Sequence, residues 1–128
     1  MARVRSAEAL RALGLPLVRS GCACGLRPCL GWESISEFDW PTTQMQPVAT
    51  LRDSELHEPS FDEYHPEGTR YDSPDAPISL AHFPYNRSDV YRCTHCLQLW
   101  LRYTEYGGYY IDHRVRRLSP ALVEDATL

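Results

Sequence analysis

The 128-residue sequence contains no lysine, and all thirteen of its basic side chains are arginine. A GC-rich coding sequence produces this bias without selection on the protein, and a functional preference for guanidinium pairing is the alternative.

The sequence also lacks a run of about eighteen apolar residues, so no segment is expected to span a membrane. The apolar stretch near the N-terminus is interrupted by Glu8 and Arg11, unlike the core of a signal peptide. We therefore expect a cytoplasmic protein.

The length and composition predict one folded domain that spans residues 1–128. A chain of this size buries one moderate core but not two independent ones. Hydrophobic residues make up 43% of the sequence and charged residues 23%, which is typical of a globular protein. Ten prolines lie mostly in the middle of the chain, where each fixes φ and removes a backbone donor. The centre is therefore expected to be rich in loops.

A short helix is predicted near the N-terminus. Ser6 is a suitable N-cap, and the apolar positions that follow continue to about Leu13. Ala9, Leu10 and Leu13 are expected to form its apolar face. Gly14 then ends the helix.

The C-terminal third predicts a β-hairpin. Apolar and other side chains alternate with a period of two from Leu97 to Tyr103, and the alternation resumes over residues 109–113. Gly107-Gly108 lies between the two segments and is typical of a tight turn. Residues 115–123 are expected to add a last short strand or a helical turn, interrupted by Pro120.

Residues 33–77 form an acidic region. This region contains eleven acidic residues against only Arg52 and Arg70, so its net charge is −9 while the total for the chain is −4. Turn-forming residues recur throughout 53–77, which predicts an ordered acidic loop, with partial disorder as the alternative. A short strand is expected around Val48 to Leu51.

The five cysteines occur in two clusters, and they predict a metal site. A C-x-x-C pair allows both thiolates to converge on one tetrahedral ion, and a four-thiolate site needs ligands from both clusters. In a reducing compartment such clusters indicate metal binding rather than disulfides. We expect one structural zinc ion held by Cys22, Cys24, Cys93 and Cys96, with Cys29 as an alternative ligand.

The choice of ligands in the first cluster stays open. Gly25 directly follows Cys24, which favours Cys22 and Cys24 because glycine suits the knuckle turn around a metal. The pair Cys24 and Cys29 is the competing choice, since a four-residue spacer is also common in zinc sites. A third alternative is that the cysteines are buried side chains without a metal.

Other ligands and metals are less favoured by the sequence. His82 and His113 are alternative ligands, whereas His95 is expected to point away from an ion shared by the C-x-x-C cysteines. Iron in a rubredoxin-like site is a further alternative, but Leu97 stands where such sites usually carry glycine. Four thiolates leave no open coordination position, so the zinc is expected to be structural rather than catalytic.

These elements predict an α+β fold: a short N-terminal helix, an irregular acidic middle, and a C-terminal antiparallel hairpin (residues 93–113) tied by zinc to residues 22–29. Zinc binding contributes on the order of 10 kcal/mol of apparent folding energy in such small domains.

The acidic region suggests a protein-binding function. Carboxylates steer a basic partner towards the surface, and aromatic side chains supply most of the binding energy. The predicted partner-binding residues are Asp62, Glu63, Tyr64 and Tyr71. An ordinary solvated charge run is the alternative. No nucleophile or substrate-pocket signature accompanies these residues, so the chain is not expected to be an enzyme, and a zinc hydrolase is a distant third hypothesis.

The aromatic hairpin suggests nucleic-acid binding as the second hypothesis. Stacking on aromatic rings and arginine contacts to phosphates are typical of such surfaces. The aromatic candidates are Trp100, Tyr103, Tyr106, Tyr109 and Tyr110, and the basic ones are Arg102, Arg114, Arg116 and Arg117. The sequence pI of about 5.7 argues against this hypothesis.

Residues 22–29 and 93–113 resemble small bacterial zinc-ribbon-type proteins, through a C-x-C-G knuckle and a C-x-x-C followed by LRYTEYGGYYID. The sequence departs from the zinc-ribbon pattern in having C-x-C where C-x-x-C is expected. In size, charge and aromatic content the chain also resembles immunity proteins that neutralise secreted bacterial toxin domains. The second resemblance implies inhibition of a basic protein partner and assigns no site residues.

Overall fold

The computed structural model describes residues 2–14, 26 and 29–128. It is built around a six-stranded mixed sheet with one short helix in the described residues, so the α+β class is confirmed. The elements in chain order are β1 (Ala2–Arg3), α1 (Ala7–Leu13), β2 (Glu33–Ile35), β3 (Met45–Thr50), β4 (Asp89–Cys93), β5 (Leu99–Tyr106) and β6 (Ile111–Arg117). Within these ranges no helix has the length and apolar character needed to cross a membrane.

The strands lie in the order β1-β3-β4-β5-β6-β2. β1 pairs with β3 in parallel, and the other neighbouring strands are antiparallel. Because β2 and β1 form the two edges, the four longer strands occupy the middle of the sheet. The loop of residues 94–98 joins β4 to β5, and residues 107–110 join β5 to β6.

The predicted N-terminal helix is confirmed as α1. The Ser6 hydroxyl accepts a hydrogen bond from the backbone N–H of Ala9 at 3.1 Å, and the helix ends at Gly14. The expected apolar face was partly wrong: Ala7 and Leu10 are buried, whereas Ala9 is exposed. Side chains three positions apart lie on the same face of a helix, so Ala7 and Leu10 both face the core.

The predicted hairpin is confirmed as β5 and β6. The two strands pair from Trp100 opposite Arg117 to Tyr106 opposite Ile111. In the turn, the Gly107 N–H donates to the Tyr110 carbonyl at 2.8 Å. A Cβ atom on Gly107 would lie 2.4 Å from the Tyr110 ring, so a larger residue here would displace that ring. Beyond β6, the expected helical turn is a 3-10 turn at Pro120–Leu122.

Other strands differ from the expectations. The strand expected around Val48 to Leu51 is β3, which begins at Met45 and contains a register irregularity between Pro47 and Ala49. The acidic region was expected to begin as loop, but its first residues form β2, which pairs with β6. β2 is only three residues long and its residues are mostly polar, so a periodicity argument does not detect it.

The two faces of the sheet carry separate buried clusters. Successive side chains of a strand point to opposite faces, so Leu99, Leu101 and Tyr103 of β5 lie on one face and Trp100 on the other. The first face carries the main core, which includes Leu10 of α1. The second face carries a smaller cluster of buried residues: Leu26, Cys29, Trp40, Met45, Cys93, Cys96, Trp100 and Val115.

The acidic loop of residues 53–77 contains no helix or strand and lies against the main core. Arg116 of β6 fixes its end to the sheet, because this fully buried guanidinium donates to the backbone carbonyls of Pro74 and Ala76, each at 3.2 Å. Arg116 also donates to the Tyr85 hydroxyl at 2.6 Å. The loop is thus anchored by a cation whose acceptors are uncharged oxygens.

Candidate functional site

The C-x-x-C cysteines lie at the ends of a tight turn between β4 and β5. The Leu97 N–H donates to the Cys93 carbonyl at 2.8 Å, and the Cys93 N–H donates to the Gln98 carbonyl at 3.0 Å. Leu97 has a φ of 66°, in the left-handed region that glycine normally occupies. Cys93 and Cys96 are both buried. The backbone therefore turns sharply between the two thiols and keeps both on the protein side of the turn.

Cys29 joins the other two cysteines in the cluster on the second face. Its backbone is held beside β6, because its carbonyl accepts from the Arg117 N–H at 2.8 Å. Its side chain is buried in the same cluster as Cys93 and Cys96. The fold therefore brings one cysteine of the N-terminal group into the same hydrophobic cluster as the C-x-x-C pair.

Only three of the five cysteines of the predicted zinc site, Cys29, Cys93 and Cys96, lie in the described residues. In residues 2–14, 26 and 29–128, no three His, Cys, Asp or Glu side chains are grouped so that they could hold a metal ion. The predicted ligands Cys22 and Cys24 lie outside the described residues. The thiols of Cys29, Cys93 and Cys96 are soft donors of the type that zinc prefers. Thiol chemistry and the turn geometry fit zinc, and zinc binding stays a prediction.

The predicted alternative histidine ligands are engaged elsewhere. Nδ1 of His82 lies 2.6 Å from the Ser79 hydroxyl. Nδ1 of His113 lies 3.1 Å from the Thr104 hydroxyl, and its Nε2 faces a carboxylate. His95 is exposed within the C-x-x-C turn.

Leu97 offers a direct test of the turn. A left-handed conformation costs a non-glycine residue about 1–2 kcal/mol. Leu97→Gly is therefore expected to raise the free energy of unfolding by about 1 kcal/mol, and Leu97→Val to lower it because a β-branched side chain fits this region worst. Urea denaturation of the two variants checks this order. Equal stability of the two would show that the turn does not have this conformation.

Of the residues predicted to bind a partner, Asp62 and Glu63 are exposed. The Asp62 backbone carbonyl accepts from the Phe83 N–H at 2.8 Å, which holds this part of the loop against the core. The Tyr64 ring is partly exposed, with its centroid 5.1 Å from that of His82. The two carboxylates and one side of this tyrosine ring are therefore accessible.

Tyr71, the fourth predicted partner-binding residue, packs against the core. Its ring stacks on Trp32 with centroids 6.2 Å apart, and its hydroxyl contacts Tyr103 and Arg114. Burial raises the pKa of both Tyr71 and Tyr103, so both hydroxyls stay protonated at neutral pH. Tyr71 thus holds the acidic loop on the sheet, and little of its ring is available to a partner.

A cluster of exposed apolar side chains lies at the end of the hairpin. This hairpin-tip surface consists of Phe38, Tyr106, Tyr109, Tyr110 and Ile111. Phe38 and Tyr109 are essentially fully exposed, and the other three are more than half exposed. Large apolar side chains grouped on a surface mark interaction sites, and tyrosine is enriched at protein interfaces.

A groove on the second face runs beside this surface. It has a volume of about 710 Å³ and is lined by residues 34–38, Tyr106 and residues 111–113. Ile35 of β2 and His113 of β6, which lie opposite each other in the sheet, are both among its lining residues. Oε1 of Glu37 lies 3.0 Å from Nε2 of His113, at the side of the groove. The groove therefore combines apolar walls with a carboxylate.

Part of this surface was predicted from the sequence to bind a partner molecule. Tyr106, Tyr109 and Tyr110 were identified as stacking residues for nucleic acid, but Glu37 and Phe38 were not singled out. An available signal was the alternation of acidic and aromatic residues from Glu37 to Trp40. Trp40 of this segment is buried, and Phe38 is left exposed.

The arginines proposed for nucleic-acid contact differ in their accessibility. Arg114 Nε lies 2.9 Å from Asp112 and 3.3 Å from Glu105, so its charge is neutralised by β5 and β6 themselves. Arg116 is fully buried, and Arg117 is exposed.

In comparisons with known proteins, no family model, no curated protein and no solved structure matches this chain. The resemblances to zinc ribbons and to immunity proteins accordingly stay predictions.

Proposed function

We propose that this chain is a protein-binding module, stabilised by a structural zinc ion, that covers a basic surface of a protein partner in the manner of an immunity or inhibitor protein. A secreted bacterial toxin domain is the proposed kind of partner. The observation that carries this proposal is the hairpin-tip surface.

The hairpin-tip surface is suited to a protein partner because its aromatic side chains are exposed before binding. Aromatic residues dominate the energetic hot spots of protein interfaces, and they lose little conformational entropy when bound. The Tyr110 ring lies close to Gly107, and the hydrogen bond between their backbones closes the turn. A preorganised surface binds more tightly, since less ordering accompanies association.

Charge favours a basic partner. Glu33, Glu37 and Asp39 are exposed on and after β2, and Arg114 of β6 is paired with carboxylates. Exposed carboxylates beside the tip are therefore available to a basic partner. Complementary charge on the partner would accelerate association and orient the complex.

The proposed zinc would act as a structural brace. Four thiolates, from Cys93, Cys96 and two of Cys22, Cys24 and Cys29, would fill its coordination shell. The metal would then join the β4–β5 turn to the segment around Cys29 and add to the stability of the second face. No step of partner binding depends on an open metal position.

Co-expression with the product of the neighbouring gene tests the proposal. A stable complex is expected, with an affinity that falls by about tenfold or more as ionic strength rises from about 0.05 M to about 0.5 M. Tyr109→Ala, in the hairpin-tip surface, is expected to weaken the complex by about tenfold. Phe61→Ala, in the acidic loop, serves as the matched control for an exposed aromatic residue.

Two results would contradict the proposal. One is the lack of any complex with the neighbouring gene product or with another protein. The other is tight binding of single-stranded DNA that Arg117→Glu abolishes, which would support the nucleic-acid hypothesis instead. A complex weakened by Phe61→Ala but not by Tyr109→Ala would move the contact to the acidic loop around Asp62.

A further inference from the structure

We infer that the groove beside the hairpin tip receives an arginine side chain from the protein partner, an inference that rests on the proposed protein-binding function. The groove would hold the aliphatic stem and the flat guanidinium against apolar walls, while a carboxylate neutralises the charge.

The apolar walls suit a guanidinium. Phe38 is 100% exposed, Tyr106 is 77% exposed and Ile111 is 63% exposed, and all three line the groove. The face of an aromatic ring attracts a cation, and arginine also stacks on such rings through its planar group. The methylene groups of arginine bury well along aliphatic surface such as Ile111.

The carboxylates supply the charge complementarity. Glu37 projects from the segment after β2, and its side chain is 76% exposed. Its Oε1 faces His113, and a carboxylate oxygen accepts more than one hydrogen bond, so Glu37 can also accept from a guanidinium. Asp112 also lines the groove, but it already accepts from Ser34 and Arg114 at 2.9 Å each. Glu37 is therefore the principal ligand for the incoming cation.

A second copy of this chain is a less suitable occupant. The chain has a net charge of −4, and the groove has exposed carboxylates in Glu37 and Glu33 beside it. Two such surfaces facing each other would repel, since like charges across an interface are destabilising. The charge on the groove therefore selects a basic partner.

Titration of the isotope-labelled full chain with a blocked arginine–glycine repeat peptide tests the inference by NMR. Amide shifts are expected to change at Phe38, Tyr106 and Ile111. The same peptide with citrulline in place of arginine keeps the shape without the charge, and it is expected to bind at least about tenfold more weakly.

Matched variants localise the binding. Glu37→Gln and Phe38→Ala are each expected to lower the affinity for the arginine peptide by about tenfold. Glu55→Gln and Leu56→Ala remove one exposed carboxylate and one exposed apolar side chain outside the groove, and they are expected to leave the affinity unchanged. Circular dichroism of each variant confirms that the fold is retained.

The inference is overturned if the shifts map to the acidic loop, if citrulline binds as well as arginine, or if the control variants weaken binding as much as the groove variants. A protein partner that binds with full affinity to Glu37→Gln and Phe38→Ala would also overturn it and leave the proposed function intact. Arginine-specific binding in the groove without any protein partner would support the groove and contradict the proposed function.

Discussion

Replacement of both Cys93 and Cys96 by serine is expected to unfold the protein and to abolish zinc binding. Structural zinc sites contribute on the order of 10 kcal/mol of apparent free energy at neutral pH, which is comparable to the whole stability of a typical domain. The β4–β5 turn also places both side chains in the buried cluster of the second face, where serine hydroxyls would be poorly accommodated.

The measurement combines elemental analysis with circular dichroism. The wild-type chain is expected to contain one zinc ion, and a chelator is expected to unfold it. His95→Ala is the matched control, because His95 is exposed between the two cysteines and its removal should change neither zinc content nor folding. A double cysteine variant that folds without metal would contradict the zinc proposal.

The single variant Cys29→Ser resolves the ligand set. If Cys29 binds the metal, the variant is expected to lose zinc as the double variant does. If Cys22 and Cys24 complete the site instead, zinc stays bound. The free energy of unfolding then falls only by the cost of burying one hydroxyl group, about 1–3 kcal/mol. Comparison with Cys22→Ser and Cys24→Ser identifies the remaining ligands.

Arg116→Ala is expected to lower the free energy of unfolding by about 3 kcal/mol or more, because each buried acceptor left without a donor costs about 1–3 kcal/mol. Arg116 donates to the carbonyls of Pro74 and Ala76 and to the Tyr85 hydroxyl, and its side chain is fully buried. The substitution also leaves a large cavity. Urea denaturation measures the change.

The neighbouring Arg117→Ala is the control, since an exposed arginine on the same strand is expected to change stability by less than about 0.5 kcal/mol. Arg116→Met preserves most of the volume and isolates the lost hydrogen bonds, so it is expected to cost less than alanine. An alanine variant as stable as wild type would show that Arg116 does not anchor the acidic loop.

Local signals made some elements predictable from the sequence. The hydroxyl of Ser6 caps the start of α1, and Gly14 follows its last residue. Both ends of the helix can therefore be predicted from the few residues around them. The hairpin was predictable for the same reason, since Gly107-Gly108 separates two segments with period-two alternation. The C-x-x-C motif likewise predicts a turn between its cysteines, because the spacing itself limits the backbone.

Contacts between distant segments were not predictable in this way. β2 owes its existence to pairing with β6, some eighty residues later, rather than to its own composition. Arg116 appears in a run of charged residues typical of an exposed strand, yet its register opposite Leu101 places it in the core. Tyr71 looks like a surface aromatic in an acidic loop until Trp32 and Tyr103 are placed beside it.

In the candidate site, too, some residues could be predicted from local sequence and others depend on contacts between distant segments. The tyrosines at the hairpin tip were recognisable from the aromatic content of the predicted hairpin. Phe38 and Glu37 join them only because β2 lies next to β6, and no local pattern encodes that neighbourhood.

Both edge strands of the sheet are short in the part of the chain that the structure describes. β1 spans two residues and β2 three, so each of these strands offers only a short row of unpaired amide groups to another chain. β1 pairs only with Ala49 and Thr50 of β3. The part of β3 before these residues contains Pro47, which has no backbone N–H and cannot donate a hydrogen bond to another strand. Short edge strands of this kind disfavour the pairing of strands between molecules, which long flat edge strands promote. The protein can therefore keep an aromatic surface exposed on its hairpin while its sheet remains a poor template for fibres.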